Sequence, residues 1–188
     1  MKKLKYDWQK ANDYPKPNGL KVFGTFVCGG GSTMGYKLAG FDVVGFLEID
    51  KGMADMYVKN HNPKFAFLEA IQTFKNRTDL PAELFELDIL DGSPPCSSFS
   101  MSGTRERDWG KQRKFSEGQA DQVLDTLFYD FIDLAKRLQP KIVVAENVTG
   151  ILKGNARDYV RKVITEFDKA GYLVQEFELD SSQMGVPQ

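Results

Sequence analysis

Cysteine is the strongest nucleophile among the amino acids, and Cys96 stands in Asp91-Gly92-Ser93-Pro94-Pro95-Cys96-Ser97-Ser98-Phe99-Ser100. Proline at 94 and 95 fixes two φ angles and removes two backbone donors, so this segment is neither helix interior nor central strand. A thiol on a stiff loop just past a strand end suits covalent chemistry. The competing reading is a core filler, because free cysteine is among the most buried residue types. A carboxylate, Glu146, closes the apolar run Ile142-Val143-Val144-Ala145 and precedes Asn147. On the carboxyl edge of a parallel sheet it could handle a proton; otherwise it is an ordinary strand-end acid.

The third group is a glycine turn, Gly29-Gly30-Gly31, with a second carboxylate, Glu48, 19 residues after Gly29. Glycines between a strand and a helix let backbone amides approach a ligand. A carboxylate ending the next strand can accept hydrogen bonds from ribose hydroxyls. The plainer alternative is a tight turn followed by an unremarkable acid. Gly29, Gly31 and Met34 break the dinucleotide pattern G-x-G-x-x-G. A nucleoside cofactor without a pyrophosphate, such as S-adenosylmethionine, therefore fits better than a nicotinamide or flavin dinucleotide.

These groups need a sheet to position them. Lys21–Val27 reads as a strand running into the turn, and residues 33–39 as a short helix stopped by Gly40. Phe41–Ile49 is nearly all apolar, as a strand covered on both faces would be. Gly52–Val58 reads as a helix ended by His61-Asn62-Pro63, and Phe65–Ile71 as a weaker strand. A short helix is expected over 79–84 with Pro81 in its first turn. Leu87–Leu90 is the strand leading to Cys96, and residues 100–119 form a long loop. Helical spacing runs from Gln119 to Leu138 and Pro140 ends it. Ile142–Ala145 reads as a buried strand, 155–170 as an amphipathic helix and Tyr172–Leu179 as a final strand. This alternation predicts an α/β fold with a doubly wound, mostly parallel, Rossmann-like sheet. Residues 1–19, polar and carrying Pro15 and Pro17, form an N-terminal arm; 20–188 form the domain.

Composition excludes several classes. The chain has 188 residues, 41% hydrophobic and 27% charged, with net charge −1. That is a globular balance, and it leaves phosphate binding to a local basic patch or to another polypeptide. Two cysteines 68 residues apart and a single histidine, His61, argue against a disulfide framework or a zinc site. No apolar run approaches a membrane span, so a soluble, reducing compartment is expected.

In order along the chain stand Phe26-Val27-Cys28-Gly29-Gly30-Gly31, Glu48-Ile49-Asp50, Gly92-Ser93-Pro94-Pro95-Cys96-Ser97-Ser98-Phe99-Ser100, Thr126-Leu127-Phe128, Glu146-Asn147-Val148 and Gly185-Val186-Pro187-Gln188. The set resembles the DNA cytosine C5-methyltransferases over most of residues 22–188. The resemblance implies the sheet type of class I S-adenosylmethionine-dependent methyltransferases. It implies that Phe26, Gly29, Gly30, Gly31, Glu48, Ile49 and Leu127 line the methyl donor's site, with Phe26 and Leu127 against the adenosyl group and Glu48 on the ribose. Cys96 would be the nucleophile and Glu146 would lie against the target base. Double-stranded DNA is the implied partner, and the cytoplasm of a prokaryotic or phage-infected cell the implied place, with restriction-modification one possible role. Residues 105–114 hold five basic and two acidic residues, and the family's corresponding loop closes over DNA. Ser100, Arg105, Arg107, Lys111 and Arg113 are its expected contacts.

The sequence departs from the family's pattern at three places. Cys28 stands where glycine is usual, which demands an ordinary φ angle or crowds the ligand; it is read as a small packed residue and not a second nucleophile. Ala70 replaces an aspartate that commonly meets the adenine amino group, and its neighbour Glu69 is not given that contact. The target-recognition region and the C-terminal segment would lie beyond Gln188, implying a complementary subunit or C-terminal half. A folded but inactive methyltransferase remnant serving as an interaction module, and an unrelated Rossmann-like thiol enzyme, are the alternatives.

Overall fold

The computed structural model describes residues 14–95, 112–113, 122–123, 126–152 and 156–184. Its centre is a five-stranded parallel sheet in the order β3-β2-β1-β4-β7. Those strands are β1 (Lys21–Thr25), β2 (Asp42–Glu48), β3 (Phe65–Leu68), β4 (Ile89–Gly92) and β7 (Ile142–Ala145). Between them run α1 (Gly31–Leu38), α2 (Lys51–His61), the one-turn α3 (Ile71–Phe74) and α4 (Leu127–Leu138), and after β7 comes α5 (Ala156–Lys169). The strand order reverses at β1, whose neighbours are β2 on one side and β4 on the other, and this doubly wound topology matches the expectation. Such a reversal opens a crevice at the strands' carboxyl ends.

Period-two alternation, interrupted once where the β1–β2 register shifts and Val44 is the extra residue, explains the layers. Phe23, Val44, Leu47 and Leu90 face one way and join Ile71, Phe74, Phe131, Leu134 and Phe167 in the main core. Val22, Val43 and Ile89 face the other way under Tyr36 and Phe41, while Phe46 packs with Ala54 and Tyr57 of α2. Each fully buried side chain of this size stabilises the fold by about 1.5–3 kcal/mol. Gly92 is dictated by packing, since a Cβ there would come 2.5 Å from Thr25 Oγ1 and 2.6 Å from Phe131 Cε2. At the sheet's other end Asp88 accepts hydrogen bonds from the Lys21 backbone N–H and from Lys141 Nζ, each at 2.7 Å.

Several expected elements are corrected. The third strand stops at Leu68, and Ile71 begins α3 rather than ending the strand. Residues 82–85 form a 3-10 turn, with Pro81 just ahead of it. The helix expected from Gln119 begins at Leu127, and the backbone at 122–123 (β6) pairs antiparallel with 112–113 (β5) instead. β7 is a strand but is not buried: Ile142 is 54% exposed and Val144 36%. A short apolar run reads alike in a central strand and at an edge, and among the described residues nothing pairs beyond β7. For the same reason Tyr172–Leu179 is not a strand, because alternation alone cannot supply a pairing partner. Leu173, Phe177 and Leu179 there face solvent. Of the expected arm, residues 14–19 lie beside the α1–β2 turn, where the Asn18 N–H donates to the Gly40 carbonyl at 2.8 Å.

Candidate active site

Where β1 passes into α1, the backbone takes a left-handed conformation at every second residue: Phe26 (φ 55°), Cys28 (φ 46°) and Gly30 (φ 89°). Only Gly30 adopts it without a Cβ penalty. The conformation turns the amide of Cys28 toward Glu48. That carboxylate, 7% exposed at the end of β2, accepts the Cys28 N–H on Oε2 at 2.9 Å. Its Oε1 accepts the N–H groups of Ile49 at 2.9 Å and Asp50 at 3.1 Å. A carboxylate offers about four acceptor positions, so three backbone donors leave one for a ligand hydroxyl.

The glycines divide their labour. A Cβ on Gly30 would lie 2.3 Å from His61 Nε2 and 2.9 Å from Tyr57 Cδ2, so α2's buried rings require that glycine. One on Gly31 would meet nothing within 4 Å among the described residues. The glycine turn, tied to Glu48 through the Cys28 N–H, is where a ligand can approach. The turn is fastened at its flank by Thr33 Oγ1, 2.8 Å from the Tyr57 hydroxyl, whose pKa burial pushes up to about 12.

Cys28 corrects its expectation twice. It takes neither an ordinary φ nor a packed position, for the residue is exposed. Partial desolvation of the thiol first, then the charges of Glu48 and Asp50, raise its pKa. These influences do not favour a thiolate at Cys28. Glu69 is engaged elsewhere, bonded to Arg77 at 2.8 Å. Phe26 is half-buried, with its ring edge-on to Phe131 at 6.5 Å. Leu127 is 1% exposed at the start of α4, inside the main core, and Ile49 is partly exposed after Glu48.

Glu146 stands on the same carboxyl edge, at the exposed end of β7, where its N–H donates to the Gly92 carbonyl at 3.0 Å. The next residue does what sequence reasoning had not assigned: Asn147 Nδ2 donates to the Pro94 carbonyl at 2.8 Å, and its Oδ1 accepts the Val148 N–H at 2.9 Å. One side chain thereby ties the β7 end to the proline pair preceding Cys96. The second missed residue is Asp91, buried in β4, which accepts from Ser32 Oγ at 3.0 Å and from the Tyr36 hydroxyl at 3.1 Å. Cys96 itself, Ser100, Arg105, Arg107 and Lys111 lie outside the described residues, and Arg113 is described only by its backbone in β5. The structure thus brings Phe26, Gly29–Gly31, Glu48, Ile49 and Glu146 to one edge of the sheet. It delivers Pro94-Pro95 between the glycine turn and Glu146.

Comparison with known proteins places this arrangement. The model of the C-5 cytosine-specific DNA methylase family matches residues 20–188. The Type II methyltransferase M.FnuDI of Fusobacterium nucleatum is 32% identical over 169 residues, covering 90% of this chain and 44% of that protein. M.Sau96I of Staphylococcus aureus is 33% identical over 175 residues, covering 92% of this chain and 37% of that one. The chain therefore spans less than half the length of these relatives. A crystal structure of a prophage-encoded DNA modification methyltransferase (E. coli) superposes with TM-score 0.59 at 25% identity, over 80% of this chain and 38% of the other. The S. pombe Dnmt2 methyltransferase, at 20% identity and TM-score 0.52 over 79% of this chain and 40% of its own, shares the fold. The family model's match from residue 20 to 188, on a doubly wound sheet that carries the glycine turn, the strand-end glutamate and the Pro-Pro and Glu-Asn-Val strand exits, makes this chain a member of the C-5 cytosine-specific DNA methylase family.

Proposed function

We propose that this chain carries the catalytic half of a DNA cytosine C5-methyltransferase that uses S-adenosylmethionine. The observation that carries the reading is Glu48: three backbone donors hold it rigid at the end of β2, beside the glycine turn, and leave one acceptor position for a ligand. A ribose hydroxyl fits that position. Gly29, Gly30, Gly31, Phe26 and Ile49 would enclose the rest of the nucleoside, with Leu127, buried in the main core, backing the pocket. When bound, the donor supplies an electrophilic methyl group on a sulfonium.

The chain's own residues supply the other half of the chemistry. Cytosine C5 is a weak nucleophile, and addition of the Cys96 thiolate to C6 turns the ring into an enamine that directs electrons to C5. Glu146, on the same edge, would share a proton with N3 and stabilise that adduct. After methylation, loss of the C5 proton to a base expels the thiolate and restores the aromatic ring. Reaching both groups requires the cytosine to leave the DNA stack. Arg105, Arg107, Lys111, Arg113 and Ser100 are proposed as contacts of the flanking DNA. Because relatives are more than twice as long, recognition of a DNA sequence is assigned to a complementary subunit or a C-terminal half. The cytoplasm is the compartment in which such an enzyme would meet DNA.

Mechanism-based trapping tests the proposal. The chain, alone and mixed with a recognition-region polypeptide, is incubated with S-adenosylmethionine and DNA containing 5-fluorocytosine, whose C5 fluorine cannot leave as a proton does. Intact-mass spectrometry should show a protein–DNA adduct one methyl group heavier than its parts, formed slowly or not at all by the chain alone. Cys96→Ser should lose the adduct and keep cofactor binding. An adduct that survives Cys96→Ser, or loss of cofactor binding in that variant, refutes the assignment.

A further inference from the structure

Two carboxylates are buried among the described residues, Glu48 and Asp91, and the proposed chemistry uses only the first. Asp91 is 6% exposed near the end of β4, and hydroxyls of α1 reach both of its oxygens: Ser32 to Oδ2 at 3.0 Å and Tyr36 to Oδ1 at 3.1 Å. Ser32 directly follows Gly31. Helix α1 has no acidic residue in its first turn and no side-chain cap, so Asp91 places across the strand a negative charge that the helix's own sequence omits.

The glycine turn is therefore flanked by one buried carboxylate bonded to Cys28 N–H and another bonded to Ser32 Oγ. Among the described residues neither carboxylate has a cation within 4 Å; the pairs formed by Lys21, Lys51, Lys64, Lys75 and Arg77 go to other acids. Glu146, at the end of the adjacent β7, adds a third negative charge, and its effect on Asp91 is repulsive. Two hydroxyl donors aimed at Asp91 favour its ionised form, while burial, the largest effect, pushes its carboxyl upward. A turn so surrounded disfavours a phosphate and suits a cation, whose attraction is strongest where solvent is excluded.

We propose that Asp91 is a specificity-determining residue, whose charge, with that of Glu48, makes the turn prefer the sulfonium methyl donor over its uncharged thioether product. The inference rests on the reading that S-adenosylmethionine binds at this turn. Donor and product share the adenosyl group and the amino-acid zwitterion and differ by one methyl group and one positive charge. The change in their affinity ratio when Asp91 loses its charge therefore reports the charge. After methyl transfer that attraction is lost, which would favour product release.

The test is calorimetric titration of the full chain with S-adenosylmethionine and with S-adenosylhomocysteine. Asp91→Asn keeps the volume and removes the charge, and should lower the donor-to-product affinity ratio about three- to tenfold, the order expected for one charge beyond direct contact at an effective dielectric of about 20. Asp91→Ser keeps a hydrogen-bonding group and removes the same charge, so it must move the ratio in the same direction even if Asp91→Asn folds poorly. The double variant Ser32→Ala, Tyr36→Phe removes both donors that favour the ionised carboxylate, and should move the ratio in the same direction as Asp91→Asn. Equal loss of both ligands in Asp91→Asn, or an unchanged ratio, would overturn the proposal and leave Asp91 a packing residue. If the wild-type chain binds neither ligand, the cofactor reading falls and this inference with it.

Discussion

Replacing Glu48 with glutamine tests, by stability alone, the geometry of the carboxylate proposed to hold the ribose. Glu48 receives three backbone N–H groups, two on Oε1 and one on Oε2, at 2.9–3.1 Å, and is 7% exposed. In glutamine one oxygen becomes an NH2 group. The least costly orientation points that NH2 at the Cys28 N–H, where two donors face each other, and keeps the carbonyl on Ile49 and Asp50. One hydrogen bond to a charged acceptor is lost, at about 1.5–3 kcal/mol, and two others weaken as their acceptor becomes neutral. The sum is a loss of about 2–4 kcal/mol, which for a domain of this size lowers Tm by roughly 4–16 °C. The Cys28 amide lies in a left-handed turn that this bond helps to hold, so the variant should also expose the turn to faster hydrogen exchange. Thermal unfolding followed by circular dichroism is the assay. A variant melting within about 1 °C of the parent would refute the view that this carboxylate organises the turn.

Cys28→Gly removes a Cβ from a position at φ 46°; relief of about 1–2 kcal/mol, less the greater chain entropy of unfolded glycine, should raise Tm by a few degrees. A lower Tm would show that the Cys28 side chain contributes packing that outweighs its backbone strain. Gly92→Ala forces a Cβ against Thr25 Oγ1 and Phe131 and should cost about 1–3 kcal/mol in denaturant unfolding; an unchanged midpoint would contradict that packing. Asn147→Ala removes the bond to the Pro94 carbonyl and should slow adduct formation in the trapping assay more than it weakens cofactor binding. Asp88, held down first by the hydrogen bond from Lys141, and Asp79, held down first by Arg77, have folded pKa values below their unfolded ones. Their stabilisation is full above the ordinary carboxylate range near pH 4 and is lost as pH falls through the folded values. Tm should therefore drop below about pH 4, and Lys141→Met should flatten that acid limb.

The residues proposed to carry chemistry were legible because they sit at element ends. Glu48 was found by its spacing from the glycine turn and by its place at the end of an apolar strand, both local properties. The Pro-Pro pair and Glu-Asn-Val were found for the same reason. Asp91 was missed because its meaning is non-local: its partners Ser32 and Tyr36 lie 59 and 55 residues away, and inside β4 it reads as a strand-end acid. Cys28 was misread because one letter does not reveal φ, and only the bond from its N–H to Glu48 shows why the left-handed turn is held. The central sheet followed from alternating apolar segments. Its limit did not, because Ile142–Ala145 has the composition of a buried strand whether or not another strand pairs with it. Tyr172–Leu179 fails as a strand for that reason and not for lack of β propensity.

Hydrogen–deuterium exchange of the full chain with and without S-adenosylmethionine addresses the cofactor site most directly. The account predicts saturable protection concentrated at the backbone amides of residues 26–32 and 48–51, where the left-handed turn and the Glu48 carboxylate meet. Protection of those amides by a nicotinamide dinucleotide in place of S-adenosylmethionine, or protection by the methyl donor confined to another face of the sheet, would contradict it.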